Sequence, residues 1–144
     1  MEMKKLSLVF IVIGIALIGI ILKDKAVSKE FSEEELTKVS QGNIQVTAVF
    51  LNPKYPDLTR PTFYIRLDTH SGDLYIYDML ESVTLEVAGK RFSPVTWKED
   101  EKSWGHHRYG FMEFPEEAFD EINREMNFRL IVNIDGERVL EWKA

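Results

Sequence analysis

Leu6 to Leu22 form a run of seventeen residues without a single charge, and from Asn43 onward the chain changes to alternating apolar and polar positions. As a helix the first run is about 26 Å long, slightly short of a hydrocarbon core of about 30 Å. Lys4 and Lys5 on one side and Lys23 and Lys25 on the other have stems long enough to snorkel and close the gap. The run therefore predicts an uncleaved transmembrane helix, or signal anchor. A cleaved secretory signal is the competing reading, with Ala26-Val27-Ser28 as the cut. Against it, the apolar core exceeds the usual ~7–15 residues, and Lys23-Asp24-Lys25 intrudes before the cut. The positive-inside tally sets Lys4 and Lys5 against Lys23, Lys25 and Lys29, so it does not favour a cytoplasmic N-terminus. Both the anchor and the cleaved signal nonetheless deliver the remainder of the chain outside the cytoplasm.

Ser32-Glu33-Glu34-Glu35 has the form of a capping box, with Phe31 and Leu36 at the staple positions, and predicts a helix of about two turns from Glu33 to Val39. Gln41-Gly42-Asn43 would end it. Beyond lies the period-two pattern. Ile44, Val46, Ala48 and Phe50 share one face, as do Phe63, Ile65 and Leu67, which predicts two half-buried strands. The prolines at 53, 56 and 61 keep the segment between them out of any ladder. Further strands are predicted at 74–77, 83–87, 91–97 and 109–114, with Ala88-Gly89 as a turn. Phe128 to Ile134 and Glu137 to Trp142 flank Asp135-Gly136, a two-residue hairpin turn. Only 115–126 reads as helical or irregular, with Phe119 and Ile122 as its apolar contacts.

Seven or eight short strands joined by turns describe an all-β protein, an antiparallel sandwich or barrel, and an immunoglobulin-like sandwich fits best. Its expected core holds Phe63, Ile65, Leu67, Leu85, Val87, Phe114, Leu130, Val132 and Leu140, with Trp97 and Trp142 filling the core or its edge. The chain thus divides into a tail at 1–5, a transmembrane helix at 6–22, a spacer at 23–42 and the sandwich at 43–144.

Composition narrows the chemistry. With no cysteine in 144 residues, a disulfide scaffold, a thiolate zinc site, a blue-copper centre and a lipid-modified N-terminal cysteine are excluded. From Asn43 onward twelve Lys and Arg stand against eighteen Asp and Glu, which accounts for the whole net charge of −6 and disfavours nucleic acid and anionic headgroups as partners.

The three histidines fall in Asp68-Thr69-His70-Ser71-Gly72-Asp73 and Gly105-His106-His107-Arg108-Tyr109-Gly110. If the strands carrying these segments occupy the B and E positions of an immunoglobulin-like fold, they are antiparallel neighbours and the histidines share one rim. His70, His106 and His107 with Asp68 or Asp73 are then candidate ligands for zinc, copper(II) or nickel(II). Adjacent His106 and His107 would point to opposite faces of an extended segment. The alternative is a polar network of Asp68, His70, His107 and Arg108 tying two loops together. No HExxH, glycine-rich phosphate loop, paired-carboxylate or EF-hand spacing occurs, and the sequence shows no catalytic motif.

On the DTHS segment at 68–71, Tyr77-Asp78, Trp97, the GHHR segment at 105–108 and Phe114, the chain resembles a family of small, largely uncharacterised extracytoplasmic β domains of bacteria and archaea. The likeness covers roughly residues 44–142. It implies a leader or anchor before a single β domain and makes the histidine rim a family feature, without implying an activity. The lipid-attachment cysteine of some similar proteins is missing, which leaves the apolar run as the anchor.

The sequence thus reads as a single-pass, membrane-anchored extracytoplasmic binding or accessory module whose candidate chemistry is a histidine-rich divalent metal site. Its expected partners are the membrane, through the N-terminal helix, and a protein of the cell envelope. A pilin-like filament subunit shares the layout of apolar helix and sandwich, and a metal-dependent hydrolase would require an open coordination position.

Overall fold

A computed structural model describes residues 32–125 and 127–143. The apolar run at 6–22 lies outside them, and among the described residues no helix is long and apolar enough to cross a membrane. The described chain folds as two antiparallel sheets packed face to face, a β-sandwich of nine strands.

Helix α1 (Glu33–Leu36) leads into β1 (Thr37–Ser40), and β2 (Ile44–Phe50), β3 (Thr62–Thr69), β4 (Val83–Val87), β5 (Lys90–Phe92), β6 (Thr96–Glu99), β7 (His107–Glu113), β8 (Phe128–Asn133) and β9 (Glu137–Trp142) follow. Three short helical segments interrupt them: a 3-10 turn at Leu74–Ile76, α2 (Met79–Ser82) and α3 (Glu116–Glu125). One sheet runs β1-β2-β3-β7-β6, the other β5-β4-β8-β9. The expected pairing of the two histidine-bearing strands holds, since β3 and β7 are antiparallel neighbours with Asp68 opposite His107.

Alternation builds the core. Val46, Ala48, Phe63, Ile65, Leu67 and Met112 point inward from one sheet, and Leu85, Val87, Leu130, Val132 and Leu140 meet them from the other. All nine residues expected at its centre are buried. Phe63 stands amid a cluster of rings, tilted or edge-on to Phe50, Phe114, Phe128 and Trp142 with centroids 5.2–6.1 Å apart, the arrangement the ring quadrupole favours. The Trp142 indole N–H donates to the Leu36 carbonyl at 2.9 Å, which fastens the start of the domain to its last strand. Asp135 and Gly136 both take positive φ, as their hairpin turn demands.

Four sequence expectations are corrected. The Ser32–Glu35 capping box forms, but the helix ends at Leu36, and Thr37 to Ser40 pair with β2 instead of continuing it. Fixing the Leu36 carbonyl on Trp142 and placing β-branched Thr37 and Val39 next favours an edge strand over a second turn. The segment 74–77 is a 3-10 turn because the Asp73 carboxylate accepts from the Tyr75 amide, and Asp78 caps α2 in the same way. The predicted strand 91–97 splits around Ser93-Pro94 into β5 and β6, which belong to different sheets. The spacer is therefore sandwich from residue 37 onward.

Register also orients the domain. Thr37 pairs with Val49, and Ile44 with Thr69, so the chain enters at the end that carries the 51–61 loop. The histidine loops lie at the opposite end.

Candidate functional site

At the histidine end the structure brings together fewer groups than the sequence suggested. His107 Nδ1 lies 2.6 Å from Asp68 Oδ1, and the Tyr109 hydroxyl donates to the same oxygen at 2.9 Å. The Arg66 guanidinium is 3.8 Å from Asp68 Oδ2 and lies over the Tyr109 ring at 4.8 Å. This carboxylate–imidazole pair is the arrangement that orients a ring nitrogen, and His107 Nε2 has no hydrogen-bond partner among the described residues.

The other candidates stand apart. His106 enters the network through its backbone, its carbonyl accepting from the Thr69 amide at 3.0 Å. His70 is exposed beside a depression of ≈ 410 Å³ that also contacts Asn43 and Asp135. Asp73 is engaged as the cap of the 3-10 turn. Among the described residues, no three His, Asp or Glu side chains form a group that could hold a metal ion.

Arg108, grouped by sequence with the histidines, points the other way, into the sandwich. It is only 8% exposed. Nε and one terminal nitrogen each lie 3.1 Å from Glu99 Oε1, and the other donates to the carbonyls of Leu74 and Tyr77 at 3.1 and 2.8 Å. The guanidinium faces the rings of Tyr75 and Trp97 at 4.8 and 5.7 Å. The network that ties the 70–78 loop to strand β7 is therefore Arg108's, and Asp68 with His107 forms a separate one.

A larger feature lies on the outer face of the five-stranded sheet, at the end where the chain enters. There the outward positions of β2, β3 and β7 carry Val49, Tyr64 and Phe111, and the 51–61 loop adds Leu51, Tyr55 and Leu58 as a wall. Together they form an open groove of ≈ 920 Å³, within the size range of ligand pockets. The loop is pinned at its neck by Asn52, whose amide donates to the Arg60 carbonyl at 2.7 Å and accepts from the Thr62 amide at 2.8 Å. Tyr64 and Phe111 face each other across β3 and β7 with ring centroids 4.8 Å apart. On the far side β6 contributes Thr96 and Lys98.

None of these residues was singled out by sequence reasoning. The available signal is a broken alternation: Tyr64 lies between Phe63 and Ile65, and Phe111 beside Met112, so outward positions that should be polar on a solvated sheet are apolar. Phe111 is 40% and Tyr55 56% exposed.

The Tyr64 hydroxyl, at the groove's edge towards the histidine end, donates to Asp100 Oδ2 at 2.6 Å. Burial, reinforced by that carboxylate, pushes the Tyr64 phenol up to about 12, while the same hydrogen bond holds Asp100 below its ordinary value. A raised folded-state phenol value stabilises the fold fully below about pH 10, and the contribution disappears as pH climbs through about 12. A depressed carboxylate works in reverse, stabilising above its ordinary value and fading as pH falls. We expect a stability plateau bounded by these two limbs. In Tyr64→Phe the alkaline limb should be shallower, as read from thermal melts between pH 8 and 11.5; an unchanged limb would contradict the assignment.

No family model, curated protein or solved structure matches the chain.

Proposed function

We propose that the chain is a membrane-tethered, extracytoplasmic binding module of immunoglobulin type, and that its binding face is the groove on the outer face of the five-stranded sheet. Strand order supports the fold assignment. With β2, β3, β7 and β6 as A, B, E and D, and β5, β4, β8 and β9 as C′, C, F and G, both sheets take the immunoglobulin arrangement, and β1 is an added edge. The DTHS and GHHR segments meet through Asp68 and His107, the adjacency that B and E strands of such a sandwich require. Tethering rests on the uncharged run at 6–22.

One observation carries the binding role: a concave surface with a predominantly apolar lining where an outward sheet face is ordinarily solvated. Arg66, Asp68, His107 and Tyr109 continue the same face with polar groups, so an apolar pocket adjoins groups able to orient a ligand.

The test uses the full chain in nanodiscs of zwitterionic lipid with an uncharged alkyl diazirine. Photolabelling should concentrate, within the sandwich, on peptides holding Val49 to Leu58 and Phe111. Uniform labelling of both sheet faces would refute the assignment of the groove as binding face.

A further inference from the structure

We infer that the groove takes a long-chain carboxylate drawn from the bilayer, with its alkyl chain across the apolar floor and its head on Lys98. The inference rests on the groove being the binding face, as proposed above, and adds the ligand's class.

The shape of the floor argues for a chain rather than a planar ligand. From Val49 on β2 across β3 and β7 to Lys98 on β6 there are three inter-strand spacings, about 14 Å, the length of an extended alkyl chain of about a dozen carbons. The Tyr64 and Phe111 rings are inclined at 60° to each other, so they offer edges and a trough instead of a flat platform on which an aromatic or sugar ring would stack. Val49, Leu51 and Leu58 extend the trough with aliphatic carbon.

Charge complementarity places the head. Lys98 sits opposite Phe111 in the β6–β7 register, is exposed, and has no ion-pair partner among the described residues. Glu113, the groove's one carboxylate, is already engaged: Thr96 donates to it at 3.0 Å, and Arg60 lies 3.7 Å away. An unpaired cation beside an apolar trough suits a ligand with one negative charge at one end. The net charge of −6 disfavours polyanions.

Position supplies the source. The groove lies at the end where the chain enters, and nine residues, 23–31, separate the apolar run from the first described residue. Such a segment spans at most about 32 Å. With the run in the membrane, as proposed, the groove lies within reach of the lipid surface.

The test keeps the full chain in nanodiscs of zwitterionic lipid and compares a photoreactive sixteen-carbon fatty acid with the alcohol of the same chain, adducts being mapped by mass spectrometry. The acid should label groove peptides about fivefold more than the alcohol, the worth of one exposed ion pair. That excess should vanish in Lys98→Met and persist in Lys98→Arg, with alcohol labelling equal in all three proteins. Equal groove labelling by acid and alcohol, unchanged by Lys98→Met, would overturn the carboxylate and leave the groove standing. No groove labelling by either probe would overturn both.

Discussion

Replacing Arg108 by Met is expected to cost about 3 kcal/mol of stability and to lower the melting temperature by about 10 °C. The side chain volume is roughly kept, so the loss is chiefly polar. Two carbonyls, those of Leu74 and Tyr77, lose a charged donor at 3.1 and 2.8 Å, and each hydrogen bond to a charged group is worth about 1.5–3 kcal/mol. Glu99 also loses its guanidinium partner, although it retains the Trp97 indole N–H at 2.7 Å and faces solvent. The damage should be local as well as global. Amide hydrogen exchange at Tyr75 to Tyr77 should accelerate before that of the core strands, because Arg108 is what holds the 3-10 turn against β7. Arg108→Lys should recover little, since one ammonium cannot reproduce a fork that reaches a carboxylate on one side and two carbonyls on the other. A near-wild-type melting temperature in Arg108→Met would show that the 70–78 loop is held by other contacts.

The second large effect is expected at Gly110. A Cβ at this position would lie 2.6 Å from the Lys98 carbonyl oxygen and 2.6 Å from a Trp97 ring carbon. Neither is the end of a flexible chain. The indole is packed against the core and the carbonyl belongs to β6, so the strand itself must move. Overpacking of this kind costs about 1–3 kcal/mol, and with backbone displaced we expect Gly110→Ala near 3 kcal/mol. Because β6 carries Lys98, the same substitution should disturb the groove's cationic wall. A stability loss without any change in β6 chemical shifts would contradict the close approach as its cause.

These two residues also show how far the sequence could be read. The period-two runs at 44–50, 63–68, 128–134 and 137–142 were legible because each strand buries one face. The juxtaposition of Asp68 and His107 followed from the strand order they imply. What escaped depends on partners distant in sequence. Arg108 looked like a member of the histidine cluster until alternation sent its side chain inward to Leu74 and Tyr77. Gly110 falls within the predicted strand 109–114, as it does in β7, but that it must be small because Trp97 crosses it depends on a partner distant in sequence. The strand at 37–40 was hidden by a genuine capping box immediately before it.

The groove was the least legible feature. Its residues come from β2, the 51–61 loop, β3, β6 and β7, and only the register brings them together. Within any one strand a single outward Val, Tyr or Phe is unremarkable. The histidines are chemically distinctive in the sequence, yet the structure divides them between a loop, a turn and the outer sheet face.

The groove is also where the account is most directly tested. Val49→Trp fills the trough from an outward position without touching the core, and Val139→Trp, on the outer face of the other sheet where Val139 is 45% exposed, is its matched control. With the full chain in nanodiscs and the uncharged alkyl probe, Val49→Trp should abolish labelling of the Leu51 to Leu58 and Phe111 peptides, and Val139→Trp should leave it intact. Labelling of those peptides that survives Val49→Trp, with the fold preserved by circular dichroism, would contradict the groove as the binding face.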